Sequence, residues 1–289
     1  MIIDMRCRPP FGGFLNPALC DLYITDAIIA FSKRFGMIPT AAVIEKSMEL
    51  FIQEMDEAGV DKAVVPIRIT PGGLATEKNE DLHMDNDDLL KLYEQYPDKM
   101  IGMAGMNLMD IHGALADIDK YVLNGPCQGV IVEPGFNFNP LLPNDESIFP
   151  IYEKCEQYNI PMIISCGGYT APSYEFHKPC YIEDVAKTFP KLKMSLGHAA
   201  WPWTTEITHV AFKYENLYIS PDLYVMHAPG SQDYIAAANY FIPEKVLYGS
   251  AYPVAGMKAA IELHRQVIRE EVIMDVLGNN AVRFFGMTE

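Results

Sequence analysis

Short metal-site signatures are what this sequence most plainly lacks. It has no H-x-H, no H-E-x-x-H and no C-x-x-C; six cysteines and seven histidines are scattered singly through 289 residues. The compact patterns that hold zinc or form a redox dithiol are therefore excluded, and Cys7, Cys20, Cys127, Cys155, Cys166 and Cys180 are expected to be free thiols. Basic residues are scarce as well: 22 Lys and Arg face 38 Asp and Glu, a net charge of −16. A nonspecific nucleic-acid binder needs a basic surface, so nucleic acid is not an expected partner. No apolar run reaches membrane-spanning length, and Met1 leads into a strand rather than a basic segment followed by an apolar one. The expectation is a soluble cytoplasmic protein with no membrane partner. No G-x-G-x-x-G follows the first strand, which weighs against a dinucleotide-binding doubly wound sheet.

What is present is a recurring unit. Hydrophobic residues make up 49% of the chain, enough for a large core without disulfides. Short apolar runs alternate with amphipathic ones. Residues 40–58 read as a helix, with Thr40 as N-cap and Gly59 as terminator, before the strand Val60–Ile67. Helical patterns at 86–96, 114–121, 148–158, 182–189, 204–212 and 231–240 each precede a strand, at 100–105, 129–133, 161–165, 193–198, 217–220 and 245–249. With the first strand, Ile3–Arg8, that makes eight. Continuous apolar strands alternating with helices indicate a parallel sheet buried on both faces. The count and length fit an α/β fold with a single (β/α)8 TIM barrel spanning 1–289, with residues 9–39 as a long loop and short helix over the barrel mouth. A doubly wound open sheet is the alternative.

In such a barrel the chemistry sits at the C-terminal ends of the strands. The first strand carries Arg6 and Arg8 two residues apart, so both project together with Asp4, and Met5 and Cys7 take the other face. Two adjacent guanidiniums are costly to bury without an anion, so the pair is a candidate carboxylate or phosphate site. The bland alternative is pairing with Asp4 or a nearby acid. Other strand ends supply Arg68, Glu133, Ser165, Cys166, His198, Asp222 and Tyr252. His198, next to Trp201 and Trp203, is a candidate proton-transfer group. Glu133 is a candidate general base or counter-ion to an arginine. Asp222 is either a site residue or a turn cap. Cys166, followed by two glycines, is a weaker candidate for contact with substrate or for a nucleophile. The remaining histidines fall on helices or loops, with His177 and His227 at the edge of the mouth.

The ordered motifs resemble the amidohydrolase superfamily, in the branch of aminocarboxymuconate-semialdehyde decarboxylase-like enzymes and related lactonases. The residues carrying the resemblance are Ile3-Asp4-Met5-Arg6-Cys7-Arg8, Met55-Asp56-Glu57-Ala58-Gly59-Val60, Pro161 to Gly167, Gly197-His198-Ala199-Ala200, Gly249-Ser250-Ala251-Tyr252-Pro253 and Gly278-Asn279-Asn280-Ala281-Val282-Arg283. The resemblance implies a TIM barrel, and a catalytic metal held by two histidines of the first strand, a histidine of the fifth and an aspartate of the eighth. Those positions are here Arg6, Arg8, Ser165 and Ala251. His198 stands at the position of the family's general acid/base.

Three functions follow as expectations. The first is a metal-independent hydrolase or carboxy-lyase acting on a small carboxylate-bearing substrate, by opening a lactone or amide or by decarboxylation. In it Arg6 and Arg8 bind the anion or stabilise an oxyanion, His198 moves the proton, and Glu133 assists. Arg68, Ser165, Cys166, Trp201, Trp203, Asp222 and Tyr252 line the pocket. The second is a non-catalytic small-acid-binding protein on the same scaffold. The third is a metal-dependent hydrolase, zinc being the candidate ion, with an altered ligand set. A homo-oligomer, a dimer, is the expected assembly.

Overall fold

The structure, a computed structural model, describes residues 1–10, 30, 32–69, 86–137, 139–168 and 173–287. The loop expected over the mouth falls mostly on 11–31 and so lies largely outside the described residues. Seven strands form one parallel sheet in chain order: β1 (Ile3–Asp4), β2 (Lys62–Pro66), β3 (Met100–Gly105), β4 (Gly129–Val132), β5 (Met162–Ser165), β6 (Met194–Gly197) and β7 (Leu217–Ser220). The eighth segment closes the ring without forming a regular strand. Val246 bridges Ile219 and Tyr252 bridges Cys7, while the Met5 N–H donates to the Tyr248 carbonyl at 3.0 Å and the Arg8 N–H to the Tyr252 carbonyl at 3.1 Å. The eight-strand expectation holds for position, with the last strand reduced to two bridges.

The α-helices named among the described residues are α1 (Ala41–Ile44), α2 (Met48–Ala58), α3 (Asn86–Gln95), α4 (Ile111–Asp117), α5 (Phe149–Gln157), α6 (Pro179–Thr188), α7 (Thr204–Lys213), α8 (Ser231–Ala236), α9 (Met257–Val267) and α10 (Asn280–Phe285). The alternation of side chains along each strand divides the core. Ile3, Met5, Val64, Ile101, Met103, Ile131, Ile163 and Leu247 fill the barrel, plugged from below by Phe284 of α10. Ala63, Val65, Ala104, Val130, Val132 and Leu196 pack outward against the helices. Both faces are dry, which is why the strands read as apolar runs. No helix among the described residues is long and apolar enough to cross a membrane.

Three local expectations are corrected. The helix over 40–58 is two helices, broken where Lys46 takes φ 55° and Ser47 starts α2 by accepting the Leu50 N–H at 3.2 Å. Gly59 does end α2, at φ 71° in the left-handed region that glycine adopts without penalty. Thr40 caps nothing with its side chain; its hydroxyl instead meets the Tyr252 hydroxyl at 3.0 Å. Finally, Met5 and Cys7 do not share a face. β1 ends at Asp4 and the chain bends at Met5, so Met5 stays inside the barrel while Cys7 packs in the outer layer.

Tyr252 is also not a pocket wall. It is 2% exposed, its ring meets Phe51 edge-on at 5.1 Å, and its hydroxyl lies 3.3 Å from Glu54 Oε2 as well as on Thr40. It ties α2 to the closing segment. Tyr252→Phe removes one contact from the partly buried Glu54 carboxylate and one from the Thr40 hydroxyl, and is expected to cost about 1–2 kcal/mol in urea unfolding.

Candidate active site

The bend after β1 and the upper ends of β2, β4, β5, β6 and β7 bring one continuous polar network to the barrel mouth. Arg6, 3% exposed, points Nε at Asp222 Oδ2 (3.5 Å) and donates from a terminal nitrogen to Ser165 Oγ (3.5 Å). Ser165 in turn donates to Glu133 Oε1 at 2.8 Å. Glu133 accepts both arms of Arg68, Nε on Oε2 at 2.6 Å and the terminal nitrogen on Oε1 at 2.8 Å, and Arg8 stands 3.8 Å from the same Oε1. Gly197 gives Arg6 its room: a Cβ there would come within 2.9 Å of the guanidinium.

These pairings bias the ionic states. Burial works against the Glu133 carboxylate, but the charge and hydrogen bonds of Arg68, then Arg8 and Arg6, outweigh it and hold its pKa well below the usual carboxylate range. A carboxylate clamped by a bidentate guanidinium is a poor proton acceptor. Asp222 behaves alike. Burial raises its pKa, yet contacts with His198 and Arg6 prevail and hold it below the ordinary value.

His198 follows β6 directly. Its backbone N–H donates to Asp222 Oδ2 at 3.2 Å and its Nδ1 lies 3.1 Å from the same oxygen. Burial first and the Arg6 charge second push its pKa down to about 4, against the opposing pull of Asp222. At neutral pH it is an uncharged imidazole, its Nδ1 close to a carboxylate without an aligned hydrogen bond to it, and in the form that accepts a proton. The backbone here is strained: His198, Ala199 and Ala200 have φ of 66°, 42° and 55°, Asp222 54° and Ala251 58°. Left-handed non-glycine residues concentrate where surrounding structure over-determines a functional geometry.

The structure thus brings Arg6, Arg8, Arg68, Glu133, Ser165, His198 and Asp222 together. Asp222 and Ser165 are both engaged with the network's charged groups. Trp201 stacks on Tyr224 (4.9 Å, 16°) and donates from Nε1 to the Pro229 carbonyl at 2.9 Å, and Tyr224 meets His198 edge-on at 5.6 Å. Trp203 stands 6.1 Å from Tyr174, further out. Cys166 does not reach the mouth. It is 0% exposed, packs in the outer core, and burial pushes its thiol pKa up, the opposite of what a nucleophile needs. Tyr224 and Phe136 were missed by sequence reasoning. Phe136 carries the Arg68 guanidinium at 5.2 Å from its ring centroid, and the only available signal was its place just past β4.

The fold family implies a divalent metal at the mouth. The donor set does not fit one: guanidiniums stand at two of the four positions where the family's ligands are expected, and both carboxylates are neutralised by arginines within 2.6–3.8 Å. Cations held there oppose a dication. Among the described residues no group of three or more His, Cys, Asp or Glu is disposed to hold a metal.

A family model described as amidohydrolase matches residues 75–287. Arg6, Arg8 and Arg68 lie before that span. Among solved structures, an uncharacterized TIM-barrel protein from Bordetella bronchiseptica is 33% identical, with 99% of this chain and 98% of that one covered and a TM-score of 0.89. A 5-carboxyvanillate decarboxylase from Sphingomonas paucimobilis is 20% identical (100% and 99% covered, TM-score 0.65). A dihydroxybenzoic acid decarboxylase from Polaromonas sp. JS666, with bound manganese and 2-nitroresorcinol, is 16% identical (91% and 94% covered, TM-score 0.67). The last two likenesses establish the barrel alone. No curated protein matches.

Proposed function

Since this chain belongs to the amidohydrolase family, whose model spans most of it, we propose that it is an enzyme acting on a small carboxylate-bearing substrate without a divalent metal. The observation that carries this reading is the buried Arg6, which shares Asp222 with His198 at 3.5 and 3.1 Å. A fixed guanidinium and a neutral imidazole meet on one carboxylate.

In this site Arg6 and Arg8 bind the substrate's carboxylate or the oxyanion that develops from it. Asp222 holds the imidazole and stabilises the imidazolium as it forms. The protonation state of His198 favours a route that begins with proton removal. In lactone or amide hydrolysis, His198 takes a proton from water as its oxygen adds to the carbonyl carbon, then returns that proton to the leaving oxygen or nitrogen as the bond breaks. Decarboxylation is the second reading, favoured by the decarboxylases among the solved relatives. There the bond to the carboxylate carbon breaks, carbon dioxide leaves, and the electron pair left on carbon takes up a proton that solvent supplies through His198.

The test is a thermal-shift panel of small carboxylic acids in the presence of a chelator. A bound acid at about 100 times its Kd stabilises the folded protein by about 2.7 kcal/mol. Wild-type protein is expected to gain several degrees with a subset of acids, and Arg6→Met to lose that gain. Shifts that vanish in chelator and return with zinc or manganese defeat the metal-free reading; no shift with any acid defeats the anion site.

A further inference from the structure

One buried imidazole near the mouth has no hydrogen-bond partner among the described residues. His177 closes the short turn Tyr174–His177 between β5 and α6 and is 1% exposed, yet neither Nδ1 nor Nε2 makes a hydrogen bond among the described residues. A neutral imidazole carries one N–H donor and one acceptor nitrogen. Buried polar groups are nearly always satisfied, and leaving two unmet on one ring is unfavourable unless something else uses them.

The ring is held by other means. Phe136 packs against it at 5.2 Å, the His177 carbonyl receives the Cys166 thiol at 3.6 Å, and Gly135 leaves the space that a Cβ, 2.9 Å from Nε2, would close. Its neighbours are the two poles of the candidate site. The same Phe136 carries the Arg68 guanidinium on its ring, and His198 is close enough that its charge opposes protonation of His177. Burial, with that opposition, brings the His177 pKa down to about 4, so at neutral pH the ring is uncharged. A neutral donor and acceptor that shares the Phe136 ring with Arg68 complements a neutral group that can do both, and a hydroxyl is the simplest.

We propose that His177 is a specificity-determining residue that hydrogen-bonds a hydroxyl on the substrate, so that the site selects hydroxylated over unsubstituted small carboxylic acids. The inference rests on the reading that a carboxylate binds at Arg6 and Arg8. The experiment is isothermal titration with matched acids: benzoate against 2-, 3- and 4-hydroxybenzoate, and propionate against lactate. In wild-type protein at least one hydroxy acid is expected to bind about tenfold more tightly than its parent, the worth of one well-made hydrogen bond. His177→Phe should bring that ratio close to one with parent affinity changed less than about twofold, and His177→Gln should restore part of it. A ratio unchanged in His177→Phe, or equal weakening of both acids, overturns the proposal and leaves the carboxylate reading intact. Failure of every acid to bind wild-type protein overturns both. Should His177→Phe not fold, nitrogen-15 spectra of the wild-type imidazoles decide: His177 signals that move with the hydroxy acid but not with its parent support the assignment, and signals that move with neither sink it.

Discussion

His198→Asn is expected to lower turnover by about 10²- to 10⁴-fold, the usual contribution of a positioned acid or base. Carboxylate affinity should stay within a few-fold, because Arg6 and Arg8 are untouched. Asparagine suits this test because residue 198 has φ 66°, and asparagine enters the left-handed region more readily than most residues. The pH profile carries a second, sharper expectation. Burial and Arg6 hold the His198 pKa near 4, so the acid limb of kcat/KM should fall there and not at the ordinary histidine value. Arg6 acts against the charged imidazole, so any residual activity of Arg6→Met should show that limb displaced upward. Burial remains the larger influence, so the displacement is partial. A limb that stays put in Arg6→Met, or an Asn variant with undiminished turnover, removes His198 from the chemistry.

The barrel was legible because a strand buried on both faces has to be apolar throughout, and a helix covering it cannot be. That contrast survives in a single sequence, and it located seven of the strands. Arg6 and Arg8 were legible for the same reason: two charges ending an apolar run are conspicuous. What the residues hide is long-range pairing. Arg68 and Glu133 are 65 positions apart, and nothing in either neighbourhood says that one guanidinium will take both oxygens of that carboxylate. Rotation of a side chain about a bend is equally hidden. Strict alternation placed Cys7 with Met5, but a two-residue β1 followed by a bend separates them into different layers. Tyr252 and Cys166 failed for a related reason. A position beside a strand end names the height of a side chain in the barrel, not whether it faces the mouth or the helices. His177 lay in a polar stretch, and only the packed structure reveals that its ring is buried without hydrogen-bond partners among the described residues.

Glu133→Gln is expected to be the most destabilising single change at the mouth, by about 3–5 kcal/mol, the range found when one member of a buried ion pair is removed. The glutamine keeps the shape but leaves Arg68 and Arg8, with side chains 13% and 8% exposed, facing a neutral amide. The pair itself need not favour folding. Removing both charges in Glu133→Leu with Arg68→Met should recover a good part of the loss, so the double variant is predicted to be more stable than the sum of the single effects. The pH dependence has a definite sign. The folded-state pKa of Glu133 lies well below its ordinary value of 4.5, so the unfolded chain binds this proton first as the pH falls. Its contribution is complete above about 4.5 and is lost progressively below it. Denaturant midpoints measured between pH 7 and pH 3 should therefore converge for wild type and Glu133→Gln at the acid end. Curves that remain parallel throughout would show that Glu133 is not the anion that holds this arginine cluster together.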